Sequence, residues 1–189
     1  MDEPLKTLLG KIEGELISGQ AAKAILVAAQ LEHDLLTLLR RQMPKLSGKM
    51  EKRLFEYPGP LSSFSGKIVV ASGLGLIPQS VQLDLDVIRA VRNTFAHSEK
   101  KLSLTSPEIA KEISKAKGWT DKTRPVEFYS KVAQRTKDGI IAAIEARANQ
   151  LEAQLKALVA ANKVLAEKLK YHKATNAQHE KADRDTTKA

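Results

Sequence analysis

The sequence contains no cysteine. That absence excludes a disulfide scaffold, a cysteine nucleophile and thiolate metal sites, and it fits a reducing compartment. Aromatic residues make up only 4% of the chain. With alanine and leucine dominant, this argues against an all-β sandwich and for helices. Long hydrophobic runs are missing too. The most apolar stretch, Ile68 to Pro78, is about half the length a membrane span needs and is broken by glycines. Met1-Asp2-Glu3-Pro4 is acidic and opens no apolar run, so a signal peptide is not expected. The expectation is a soluble, cytoplasmic protein with no membrane association.

Cofactor and metal signatures are also lacking. Gly73 and Gly75 form a lone Gly-x-Gly with no third glycine and no preceding strand, and Gly66-Lys67 lacks the upstream glycine of a phosphate-binding loop. The histidines, at 33, 97, 172 and 179, are too scattered for a metal site, and no His-Glu-x-x-His occurs. No serine, histidine and acid suggest a triad. No cofactor and no metal are therefore expected.

What is present is a chain of 189 residues, 42% of them hydrophobic. This suits one domain with a real core, with or without an extension. Apolar positions predict an all-α bundle of five to six helices. Leu5, Leu8, Leu9, Ile12 and Leu16 mark a first helix over 4–18, which Ser18-Gly19 is expected to break. A second, central helix is predicted over about 20–43, stopped by Pro44. Residues 44–60 read as a connection, with Tyr57-Pro58-Gly59-Pro60 as breakers. A third helix follows over about 64–76, capped by Ser62 or Ser63, and a fourth over about 78–96. Thr105-Ser106-Pro107-Glu108 reads as a capping box opening a fifth helix over 106–117. From Pro125 to about Tyr171 only Gly139 interrupts a very long helix. Residues 173–189 are polar and aperiodic and read as a disordered tail.

In the long helix, Ile144, Leu151, Leu158 and Leu165 recur every seven residues, with Ala148, Leu155, Asn162 and Leu169 between them. The alternating steps define a heptad seam, leucine at d and alanine, leucine or asparagine at a. A lone asparagine at a disfavours a dry seam unless it meets its copy in a parallel dimer. Arg147 at g and Glu152 at the next e suit the same arrangement. The expected division is a helical domain over 1–144, a coiled-coil extension over 145–172 and the tail. The expected partner is a second copy, as a homodimer or a higher homo-oligomer.

Positive charge dominates, at net +9, and is clustered. Segment 40–53 sets Arg40, Arg41, Lys45, Lys49, Lys52 and Arg53 against Glu51, net +5. Segment 111–137 also carries net +5, through Lys111, Lys115, Lys117, Lys122, Arg124, Lys131, Arg135 and Lys137 against three acids. Such clusters can contact phosphates, with Trp119 or Tyr129 stacking on bases; they can equally be solvated surface, with Trp119 covering the edge of the core. Arg40, Arg41, Lys49, Lys52, Arg53, Lys115, Lys117, Lys122 and Arg124 are the candidate nucleic-acid contacts.

The most informative stretch is Ile88 to Ser98, within which Arg92, Asn93 and His97 spell Arg-Asn-x-x-x-His. It follows Gly59-Pro60-Leu61-Ser62-Ser63-Phe64-Ser65-Gly66-Lys67-Ile68, then Gly73-Leu74-Gly75-Leu76-Ile77, then Asp84 to Ile88. Leu102-Ser103 and Pro107-Glu108-Ile109 come after it. In this order and spacing, residues 5–145 resemble the mannitol-operon repressor family. The resemblance implies an all-helical fold and a role in transcriptional repression without a helix-turn-helix, exerted through protein or nucleic-acid contacts. The Arg-Asn-x-x-x-His signature is also similar to that of HEPN-type helical domains. In the nucleases of that group, the arginine and histidine cleave RNA without a metal, usually at a dimer cleft.

The same motif can be weighed physically. Residues five apart on a helix point about 140° apart, so Arg92 and His97 converge on one phosphate only if the helix breaks or two chains contribute. Given that convergence, a histidine can act as acid or base and an arginine can stabilise a pentavalent phosphate. The alternative is structural: Arg92 pairs with Glu32 or Asp34, Asn93 bonds a loop, and His97 bonds the last carbonyls of its helix. The reading adopted is a non-enzymatic regulator with no catalytic residue. The alternatives are a ribonuclease using Arg92, Asn93 and His97, and a plain oligomerisation scaffold.

Overall fold

The computed structural model describes the backbone over residues 3–43, 46–120 and 122–186, and side chains over 11, 14–43, 46–120 and 122–171. Pro44, Lys45 and Asp121 lie outside the described residues, as do the side chains of Leu5, Leu8, Leu9, Ile12, His172 and His179. Among the described residues there are six helices and no strand: α1 (Glu3–Gln42), α2 (Gly48–Phe55), α3 (Phe64–Gly73), α4 (Gln79–His97), α5 (Pro107–Ile113) and α6 (Pro125–Thr186). None of them is long and apolar enough to cross a membrane. The chain divides into two units, Met1–Ile144 and Glu145–Ala189.

The N-terminal unit is built on α1. Ala24, Ala28, Leu31, Leu35, Leu38 and Leu39 form one buried stripe along it, at the spacing of a single helix face. That stripe packs on α3 and α4. α4 supplies Val81, Leu85, Ile88 and Val91 to the core, and α6 supplies Phe128, Tyr129, Val132 and Ile140. Each fully buried leucine or isoleucine contributes roughly 1.5–3 kcal/mol.

The break expected at Ser18-Gly19 does not occur, and α1 is one 40-residue helix. A single helical glycine costs about 1 kcal/mol, little beside the buried stripe that follows. The Gln20 side chain also accepts a hydrogen bond from the Leu104 amide at 3.0 Å, tying α1 down beside the glycine. The stretch 44–60 is not all connection, because α2 forms within it, capped by Ser47 accepting from the Met50 amide at 3.3 Å. Ser63 is the cap of α3 and accepts from the Gly66 amide at 3.0 Å. The capping box before α5 is not made: Ser106 is the N-cap, and its hydroxyl accepts from the Ser103 amide. α5 is also shorter than expected and ends at Ile113.

At the other end, α6 continues beyond Tyr171 to Thr186, where the polar tail was expected to begin. No proline or glycine follows Gly139, so nothing in the local chemistry stops the helix. Residues 187–189 lie outside the described residues.

Gly139 is a packing requirement on the α4 side of α6. A Cβ there would lie 2.4 Å from Cγ2 of Val81, a stiff β-branched side chain. At Gly19, by contrast, a Cβ would meet nothing within 4 Å. Gly139→Ala should therefore lower stability, with about 1–3 kcal/mol of overpacking outweighing its helix gain. Gly19→Ala should raise it by about 0.5–1 kcal/mol. Urea unfolding of the two variants checks the opposite signs.

Tyr129 is buried and donates a long hydrogen bond, 3.4 Å, to the Ala24 carbonyl. Burial pushes its phenol well above the ordinary tyrosine value. The folded state thus keeps a proton that the unfolded chain releases above about pH 10. This contribution to stability is whole below that pH and is lost as pH rises further. Between about pH 9 and 11.5 the melting temperature should fall more steeply for the wild type than for Tyr129→Phe.

Candidate functional site

Arg92 lies on α4 four residues after Ile88, close to the buried stripe. Its Nη2 is 3.5 Å from Oε2 of Glu32 on α1. The other oxygen of Glu32 accepts from Nζ of Lys67 at 2.6 Å. Lys67, on α3, is only 5% exposed and also donates to the Ser62 carbonyl at 3.2 Å. One carboxylate therefore joins α1, α3 and α4 and neutralises a buried ammonium. Asp34, the other acid considered for Arg92, instead accepts from the Gln30 amide at 2.8 Å.

His97 is the last residue of α4 and is exposed. It makes no hydrogen bond to the closing carbonyls of its helix among the described residues, so the structural role expected for it is not seen. Asn93 is half-buried and likewise shows no side-chain bond among the described residues. α4 is regular from Gln79 to His97. Arg92 and His97 thus stay about 140° apart around its axis, and a single chain does not bring them together.

The two basic clusters differ. Arg135 is turned inward from the second cluster. Its Nε and Nη2 donate to the two oxygens of buried Asp84, both at 2.5 Å, and its Nη1 donates to the Lys117 carbonyl at 3.0 Å. The bidentate bond to Asp84 raises the pKa of Arg135 further, burial opposing it. Lys115 pairs with Glu112 at 2.6 Å and Arg124 with Glu127 at 3.2 Å. Lys117 and Lys122 are exposed and show no ion pair among the described residues. The two aromatic residues considered for stacking beside them are both packed on the fold. Tyr129 is buried, and Trp119 is half-buried and packs edge-on against Phe128, with ring centres 5.4 Å apart.

In the first cluster, Arg40 is held by Glu51 at 2.7 Å and lies 5.5 Å above the Phe55 ring. Arg41, Lys49, Lys52 and Arg53 are exposed. Just past the end of α2 in the chain is Tyr57, 92% exposed, which the sequence marks only as part of a turn.

Along the C-terminal unit the seam residues Leu151, Leu155, Leu158, Leu165 and Leu169 are 44–61% exposed, and Asn162 is exposed with them. Ile144 does not belong with this set. It is half-buried and packs on the core of the N-terminal unit, so it is not a free seam position. Glu152 pairs with Lys156 at 2.7 Å, and Arg147 donates to Gln150 at 2.7 Å. Both partners of the expected interchain pair thus have contacts within one chain.

An apolar groove of about 740 Å³ opens between α1 and the start of α6, with Leu16, Val27, Leu104, Val126 and Ala133 in its walls. Gly19 also lines it. No periodicity marks a groove between helices distant in sequence.

No group of three or more histidine or acidic side chains able to hold a metal occurs among the described residues. Compared with protein families, curated proteins and solved structures, the chain matches none.

The Glu32 cluster makes a graded prediction. Glu32→Ala leaves the buried Lys67 ammonium without its carboxylate and should lower stability by about 3–5 kcal/mol. Arg92→Ala leaves Glu32 with Lys67 and should cost about 1 kcal/mol or less. Equal losses in urea unfolding would make Arg92 the principal partner of Glu32.

Proposed function

We propose that the protein is a non-enzymatic regulator of the kind its resemblance to the mannitol-operon repressors implies. Its helical head contacts protein or nucleic acid, and its C-terminal helix joins copies of the chain in parallel. The observation that carries this reading is the pairing of Arg92 with Glu32, which also holds buried Lys67. An arginine in that position serves the fold, and the exposed His97 has no arginine beside it on its own helix. The exposed leucine seam with Asn162 at an a position supports self-assembly, since five leucines in water favour association and one asparagine pair specifies register.

The alternative is a metal-independent ribonuclease in which a second chain brings its motif to His97. Incubation of the protein with single-stranded RNA and a chelator distinguishes the two. The regulator leaves the RNA intact. Cleavage that survives chelator and disappears in both Arg92→Ala and His97→Ala, each still folded, overturns the reading. Sedimentation tests the assembly: removing 145–189 should leave a folded head with weaker self-association, and a monomeric full-length protein counts against it.

A further inference from the structure

α2 buries no side chain, yet its two faces differ sharply. Glu51, Leu54 and Phe55 are half-buried toward the protein, Phe55 against the core and Glu51 on Arg40. Lys49, Lys52 and Arg53 are all exposed and recur at i, i+3 and i+4, the spacing of one helix face. None of the three is ion-paired among the described residues. Cations in the last turn of a helix are favoured by its dipole, which accounts for Lys52 and Arg53. Lys49 lies in the first turn, where the dipole disfavours a cation. Helix stability therefore does not explain the whole set.

Tyr57 follows the end of α2, on a turn closed against the backbone of that helix. The Gly59 amide donates to the Glu56 carbonyl at 2.6 Å and the Leu61 amide to the Leu54 carbonyl at 2.9 Å. The Ser62 hydroxyl donates to the Gly59 carbonyl at 2.7 Å. The turn is packed so closely that a Cβ on Gly59 would lie 2.4 Å from the Arg53 carbonyl oxygen. The Tyr57 backbone is thus held at a set place just past the C-terminus of α2 while its ring stands almost wholly in water. Trp119 and Tyr129, the aromatic residues near the other basic cluster, are packed on or in the core.

We propose that the Lys49–Lys52–Arg53 face of α2 and the Tyr57 ring form a contact site for single-stranded nucleic acid. The ring stacks on one base and the three cations meet neighbouring phosphates. A single strand fits because the ring needs an unstacked base, which a duplex does not offer. An acidic peptide would satisfy the cations and leave the ring without a partner. The inference rests on the regulator reading above and specifies the chemistry of one of its contacts.

The test uses the full chain and a fluorescein-labelled oligouridylate, followed by anisotropy across a salt series. Binding should weaken with salt at a log–log slope of about −2, as about three neutralised phosphates on a single strand require. Tyr57→Ala should weaken binding about 5- to 150-fold, the range that stacking on one base supplies, and Tyr57→Phe should stay close to the wild type. Replacing Lys49, Lys52 and Arg53 by glutamine should abolish most of the salt dependence. On a duplex of the same length, Tyr57→Ala should bind as the wild type does. All these side chains are exposed, so circular dichroism should be unchanged. The site is overturned if the wild type does not bind at low salt, if Tyr57→Ala binds the oligouridylate like the wild type, or if its loss is the same on the duplex. Absence of binding leaves a regulator that works through protein contacts, and the other two outcomes leave nucleic-acid contact without base stacking on Tyr57. Cleavage of the oligonucleotide would instead overturn the regulator reading.

Discussion

The Glu32 carboxylate is the point on which the head of the molecule depends. Lys67 is nearly inaccessible to water, and an isolated ammonium in such a place is strongly disfavoured. Glu32 supplies the opposite charge, and in doing so it fixes α3 and α4 against α1. The Asp84–Arg135 pair plays the same part between α4 and α6, with the charges reversed: there the carboxylate is buried and the guanidinium reaches in from the surface. α4 contributes to both contacts, so its register against α1 and α6 is set by charge as well as by the shape of its apolar stripe. Polar clusters of this kind add specificity to a core of alanines and leucines, which on its own tolerates more than one packing.

These contacts sort the positive charge. Of the basic residues, Lys67, Arg92 and Arg135 act within the fold, and Arg40 is held between Glu51 and Phe55. Among the described residues the cations without an ion pair include Lys49, Lys52 and Arg53 on α2, Lys117 and Lys122, and others spread over α1, α6 and the loop at Lys100 and Lys101. The net charge of +9 already counts the paired acids, so the pairing decides where the excess is exposed and not how large it is. Among those cations, Lys49, Lys52 and Arg53 share one helix face, and Tyr57, the most exposed aromatic ring of the chain, follows that helix in the sequence.

Helix type and number follow from local chemistry, so much of the fold is legible in the sequence. The apolar spacing of α4 and of α1 from Leu31 onward marks faces that are buried, whereas Leu16, Ile25 and Leu26 earlier in α1 are exposed, and Ser63 and Pro107 mark helix starts. The errors arise where tertiary contacts override local preference. Gly19 is a breaker by propensity, but the stripe from Ala24 to Leu39 and the Gln20–Leu104 bond carry the helix through it. α2 is too short and too polar to stand out until Phe55 has a core to lie against. Ile144 fits the heptad by spacing and still belongs to the head.

By itself, the sequence determined an all-helical chain, the heptad repeat of its long C-terminal helix and the presence of an Arg-Asn-x-x-x-His motif. Each is a matter of spacing along one helix, which a 3.6-residue period makes readable. Only the tertiary structure decided which acid the motif's arginine meets, because Glu32, shared with Lys67, lies 60 residues away in the chain. Tertiary structure likewise decided that Tyr129 is buried while Tyr57 stands in water. Burial is a property of what packs around a residue, and neither the turn at Tyr57 nor the helix at Tyr129 fixes it by itself.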